Sequence, residues 1–106
     1  MTKLWKAVEN RVAKEVGGKR QGPVGKTGAD VIGSDISVEC KERKAFPKWL
    51  DKAMEQAESN NKPIQVAILH KKGGFYGDDL VVMRFRQFTR MLLDTRKEED
   101  GKEVIL

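Results

Sequence analysis

An α/β sandwich, with a central mixed β-sheet flanked by helices, is the fold class that the sequence predicts. Three observations lead there. Apolar residues recur at helical spacing over residues 2–16 and 47–57. The short runs "ADVIG", "ISVECK", "IQVAILH" and "LVVMRF" are rich in β-branched residues and are bounded by glycine, proline, asparagine and aspartate. The resulting order is helix, two or three strands, helix, strand, strand, helix.

Each element has its own local reason. In the first helix Leu4, Trp5, Val8, Val12, Ala13 and Val16 form the apolar stripe, Thr2 is the expected N-cap, and Gly17-Gly18 is a stop signal. Lys19 to Gly28 is then a glycine-rich basic loop with room for a short strand. A tight turn around Gly33-Ser34-Asp35 joins the next two strands. Pro47 suits a first helical turn, and Trp49, Leu50, Ala53, Met54 and Ala57 make one stripe that Asn60-Asn61 and Pro63 terminate. "IQVAILH" reads as a strand buried on both faces. "KKGGFYGDD" is a loop or hairpin leading into "LVVMRF", and a last amphipathic helix is expected from about Arg86 to Leu93. The expectation is one domain over 1–94, followed by a charged, mobile tail over 95–106.

Composition narrows the function. At 106 residues the chain has room for one modest core. Lys plus Arg number 21 against 16 for Asp plus Glu, a net charge of +5 that favours a polyanionic partner. Cys40 and His70 are the sole cysteine and histidine, which excludes an internal disulfide and a zinc site built from several such ligands. No run is long and apolar enough to span a membrane, and the first ten residues lack a signal peptide's apolar middle, so a cytoplasmic protein with no membrane partner is expected. The Gly25-Lys26-Thr27 in "GKRQGPVGKTGAD" is not a phosphate loop. That motif needs glycine at position 20, where Arg20 stands, and a preceding strand where this chain has a helix. No nucleotide cofactor is expected.

The informative stretch is "ISVECK". Alternation sends Ile36, Val38 and Cys40 to one face and Ser37, Glu39 and Lys41 to the other, with Glu39 and Lys41 about 7 Å apart along the backbone. Asp30, at the start of the neighbouring strand, can set a second carboxylate beside Glu39. Two carboxylates plus water and a phosphate oxygen suit Mg²⁺, with Mn²⁺ as the alternative. Lys41 would orient a water or offset charge in the transition state. The plain alternative is an exposed Glu-Lys face of little energetic weight. Asp35 also competes for the metal, although its "GSD" context favours local backbone bonding.

Asp30, a spacer, then "ECK" at Glu39–Lys41, preceded by a helix bearing Glu9, resembles the PD-(D/E)xK nuclease superfamily. The resemblance is closer to its small archaeal-type and phage Holliday junction resolvases, and it covers residues from Glu9 to about Phe88. It implies a restriction-endonuclease-like sandwich. It also implies Asp30 and Glu39 as metal ligands with the Cys40 carbonyl, Lys41 as the motif lysine, and Glu9 completing the metal site. Ala29 stands where the superfamily's name places proline, and Thr27 is the nearest hydroxyl to the family's loop serine.

The function so implied is metal-dependent resolution of four-way DNA junctions by paired phosphodiester hydrolysis. The enzyme would be a homodimer in a prokaryotic or phage-infected cell. Lys19, Arg20, Lys26 and Thr27 in the loop, with Arg43, Lys44 and Lys48 beyond the motif, are the expected phosphate-binding residues. Gln56 is an accessory candidate near the site; Trp49, Phe85 and Phe88 read as core or dimer contacts. Two rivals are a nickase or flap-type phage nuclease of the same superfamily and a basic DNA-binding module without catalysis.

Overall fold

Gly17 stops the first helix in the left-handed conformation, with φ +72°, that this kind of helix end favours. The computed structural model describes residues 4–22 and 28–105. It divides into two compact units, Met1–Lys44 and Ala45–Leu106. Together they hold three helices and two small antiparallel sheets among the described residues, a mixed α/β chain in the predicted order.

In the first unit, α1 (Leu4–Val16) packs on a three-stranded sheet of β1 (Lys19–Arg20), β2 (Val31–Ile32) and β3 (Ser37–Val38), in the order β1-β2-β3. Both pairings are antiparallel: Arg20 faces Val31 across one, and Val31 faces Val38 across the other. Among the described residues Ala13, Val16 and Val31 are the buried apolar ones, and Val16 and Val31 are fully enclosed. The turn between β2 and β3 closes with the Gly33 N–H donating to the Ile36 carbonyl at 2.8 Å.

Gly18 allows the helix end to approach the sheet this closely. A Cβ there would stand 2.9 Å from Val31 Cγ1 and 3.0 Å from the Ile32 carbonyl oxygen. Since Val31 is enclosed, the clash has little room to relax. Gly18→Ala is expected to destabilise the protein by about 1–3 kcal/mol. Gly22→Ala, with nothing within 4 Å of the added carbon, is the matched control. Urea unfolding midpoints for the two variants decide the point, and equal midpoints would refute it.

In the second unit, α2 (Lys48–Glu58) begins after Pro47, whose carbonyl accepts from the Leu50 and Asp51 N–H groups. Pro47 is thus the residue before the helix rather than part of its first turn. Met54 is buried, with Leu50, Ala53 and Ala57 half-buried. Trp49 departs from the expected stripe and is 59% exposed. One residue before Leu50, it lies about 100° round the helix from it and off the narrow face centred on Met54. Ser59 caps the helix end and Asn61, at φ +50°, turns the chain away as expected.

The hairpin of β4 (Ala67–Leu69) and β5 (Leu80–Val82) is antiparallel, with Ile68 facing Val81. Here the expectation of burial on both faces fails, since Ile68 is 55% exposed and Val81 is also exposed. β4 pairs with β5 and meets α2, so one sheet face is served and the face carrying Ile68 is not. The described strands thus form two short ladders rather than one mixed sheet.

The final helix, α3 (Phe85–Ile105), runs through the segment expected as a tail. Its Arg, Lys and Glu residues are good helix formers, so a charged segment extends the helix. Gln87 in α3 acts as a surrogate strand for the chain before β4. Its Oε1 accepts from the Gln65 N–H at 2.9 Å and its Nε2 donates to the Gln65 carbonyl at 3.2 Å.

Arg84 grips Glu58 with two hydrogen bonds, Nε at 3.0 Å and Nη2 at 3.1 Å, fastening the end of α2 to the start of α3. The Arg84 hydrogen bond is the main reason that the Glu58 carboxyl is held below the usual glutamate range, with partial desolvation working against it. A folded-state value below the unfolded one stabilises above the ordinary glutamate range and loses that contribution as pH falls through and below it. Glu58→Gln is therefore expected to be less stable than wild type at neutral pH and to match it in acid. Denaturant unfolding across that range tests the sign, and a deficit that persists in acid would rule it out.

Candidate active site

Asp30 and Glu39 stand opposite each other along the backbone because two short ladders continue past their strands. Extending the β2–β3 register by one step sets Asp30 opposite Glu39. On its other side Asp30 is held by its own carbonyl, which accepts from the Gln21 N–H at 2.7 Å and prolongs the β1–β2 pairing. The Asp30 side chain then turns across the gap, and its Oδ2 accepts from the Cys40 N–H at 2.8 Å. One carboxylate is thereby fixed against the backbone of the "ECK" segment.

The predicted alternation holds through this segment. Ile36, Val38 and Cys40 are half-buried while Ser37, Glu39 and Lys41 are exposed. On the open side the Lys41 ammonium lies 3.0 Å from Glu39 Oε2. That hydrogen bond, reinforced by the charges of Glu39 and then Asp30, raises the Lys41 pKa above its usual value. Lys41 is therefore a fixed cation that can orient water or stabilise negative charge, and it is a poor general base.

Glu9 approaches from the buried side. It lies four residues before Ala13 and seven before Val16, on the helix face that packs against the sheet, and it is only 8% exposed. Its Oε1 accepts from Arg20 Nε at 2.9 Å. A sheltered carboxylate requires such a partner. The pair joins two residues that the sequence had assigned to different tasks, a metal-site acid and a phosphate-binding arginine. The signal for it was present, since Glu9 sits on an otherwise apolar helix stripe and Arg20 lies on the strand beside it.

The acids act together on Cys40. Burial, then Asp30, Glu9 and Glu39 in that order, push its thiol pKa up, so the sulfur stays protonated. That field disfavours the thiolate, the form in which a cysteine acts as nucleophile or soft metal ligand.

Among the described residues no three His, Cys, Asp or Glu side chains form a ready metal-ligand cluster. Two carboxylates and a main-chain carbonyl still match the donors of a hard cation. Mg²⁺ commonly takes one or two carboxylates and completes its shell with water and substrate oxygens.

The cationic candidates are distributed more widely. Lys19, Arg43 and Lys44 are exposed in the first unit, and Arg43 Nη1 donates to the Glu42 carbonyl. Lys48 is exposed at the first residue of α2, and Gln56 is exposed on the same helix with its carbonyl accepting from Ser59. Lys26 and Thr27 lie outside the described residues.

A recess of about 250 Å³ in the second unit is lined by Phe46, Leu50, Asp51, Met54, Val82, Met83, Arg84 and Phe85. None of the acids around Cys40 borders it. Its lining is largely apolar, unlike the carboxylates and ammonium group around Cys40. No helix among the described residues is long and apolar enough to cross a membrane. Comparison with protein-family models, curated proteins and solved structures finds no match for the chain.

Proposed function

We propose that this chain is a metal-dependent, structure-selective DNA endonuclease of the PD-(D/E)xK type. Its expected fold is a restriction-endonuclease-like sandwich, and its expected substrate is the four-way junction. The observation that supports the reading is the 2.8 Å bond from the Cys40 N–H to Asp30, which ties that carboxylate to the backbone between Glu39 and Lys41. Those three residue types, in that order and beside neighbouring strands, are the motif that the sequence resembles.

Asp30, Glu39 and the Cys40 carbonyl would hold Mg²⁺ (or Mn²⁺), which when bound polarises a phosphoryl oxygen and makes a nearby water more acidic. Lys41, kept charged by Glu39, would orient the attacking water and offset charge that grows on the phosphate oxygens. Glu9 would support the negative field from the helix side while Arg20, 2.9 Å away, holds it in place. Lys19, Arg43 and Lys44 would hold the flanking phosphates, a sequence-independent grip that suits recognition by branched shape. Two copies related by two-fold symmetry would present two such sites to opposed strands.

The test is a cleavage assay with purified protein on an end-labelled four-way junction and on linear duplex, with Mg²⁺ and with EDTA. Paired symmetric cuts confined to the junction and dependent on metal are expected. Metal-dependent cutting of every substrate replaces resolution with general or flap-type nuclease activity. Binding without cutting leaves a basic DNA-binding module.

A further inference from the structure

The hairpin tip between β4 and β5 contains groups that the nuclease chemistry does not use. Phe75 and Tyr76 are 82% and 83% exposed, far more than aromatic side chains of a hydrophobic core. Tyr76 is nonetheless held in place. Its ring stacks on His70 with centroids 4.9 Å apart and planes 25° from parallel. His70 is in turn fixed by Asp79, with Nδ1 donating to Oδ1 at 2.5 Å, since a carboxylate can only accept.

The backbone beneath is equally well defined. The Gly74 N–H donates to the Lys71 carbonyl at 2.8 Å, Gly73 takes the left-handed φ of +78°, and a 3₁₀ turn spans Tyr76–Asp78. Lys71 and Lys72 stand exposed in the same tip. Asp79 is turned onto His70, leaving Asp78 as an exposed acid.

We propose that the 70–79 hairpin tip is a stacking platform for unpaired bases of a nucleic acid, with Tyr76 and Phe75 receiving the bases and Lys71 and Lys72 the adjoining phosphates. Stacking on an aromatic face is open to any base and needs no sequence readout. The His70–Asp79 brace fixes the Tyr76 ring before the ligand arrives, which reduces the ordering penalty of binding. The two lysines choose a polyanion over an apolar protein partner. At a branch point, where bases are most easily unstacked, such a tip would add structure selectivity. The proposal rests on the nucleic-acid part of the nuclease reading and requires nothing of Asp30, Glu39 or Lys41.

The experiment uses the full chain in EDTA. It follows binding of a single-stranded oligodeoxynucleotide carrying 2-aminopurine, and of the matching duplex, by anisotropy and by 2-aminopurine fluorescence. Tyr76→Ala and Phe75→Ala are each expected to weaken single-strand binding about tenfold and to reduce the stacking signal. Tyr76→Phe should retain both, which excludes misfolding as the cause, and Lys71→Ala should lower the salt dependence. Tyr76→Ala binding single strands as wild type does overturns the platform. So does wild type that shows no preference for single strand over duplex. Sedimentation showing that Tyr76→Ala turns a dimer into a monomer with unchanged DNA binding assigns the surface to a second copy, and also overturns it. Wild type with an intact stacking signal but no cleavage in Mg²⁺ removes the nuclease reading and leaves the platform standing.

Discussion

Asp30→Asn is expected to reduce junction cleavage by at least about a hundredfold to a thousandfold, with folding and DNA binding retained. The structure explains why this substitution is the informative one. Asp30 has a structural task, accepting the Cys40 N–H, and an electrostatic one, supplying negative charge beside Glu39. Asparagine keeps an oxygen to accept that hydrogen bond and removes only the charge. Alanine removes both, so Asp30→Ala should lose stability as well as activity. Cleavage assays beside circular dichroism and anisotropy separate the two roles. Asp30→Asn that cuts as wild type does would end the site assignment, and Glu39→Gln and Lys41→Ala should show the same loss if the three act as one site.

Arg20→Ala is expected to destabilise the protein by about 2–3 kcal/mol. The reason is the environment of Glu9, whose carboxylate lies on the buried face of α1 with Arg20 Nε at 2.9 Å. Removing the arginine strands a sheltered charge. Removing both charges does not, so a Glu9→Leu, Arg20→Met double variant should recover much of the loss. Denaturant unfolding of the single and double variants measures the coupling. The recovered protein then answers a second question. If it folds and no longer cleaves, the Glu9–Arg20 pair belongs to the reaction as well as to the fold. Additive losses in the double variant would show that the pair contributes no coupling.

Sequence pattern alone determined the order of elements, because each rests on local signals. Helical spacing from Leu4 to Val16, the stop at Gly17, the turn at Gly33-Ser34-Asp35 and the break at Asn61 are all decided within a few residues of chain. The alternation through Ile36–Lys41 was legible for the same reason, since a period of two needs no knowledge of the partner strand. The shared exposed face of Glu39 and Lys41 was therefore legible in the sequence.

Other features required the folded chain. Whether an apolar strand is covered depends on what packs above it, so "IQVAILH" gave no warning that Ile68 would stay exposed. Whether a charged segment is helical depends on competing propensities that composition alone does not rank, so α3 outran its prediction. The pairings of Glu9 with Arg20, His70 with Asp79 and Gln87 with Gln65 join residues 11, 9 and 22 positions apart. Such partners are chosen by distance in space, after the elements have docked. Local periodicity set Glu9 on its helix and Glu39 on the exposed face past β3, and tertiary structure supplied the Cys40 amide that fixes Asp30 and the arginine that makes a sheltered Glu9 tolerable.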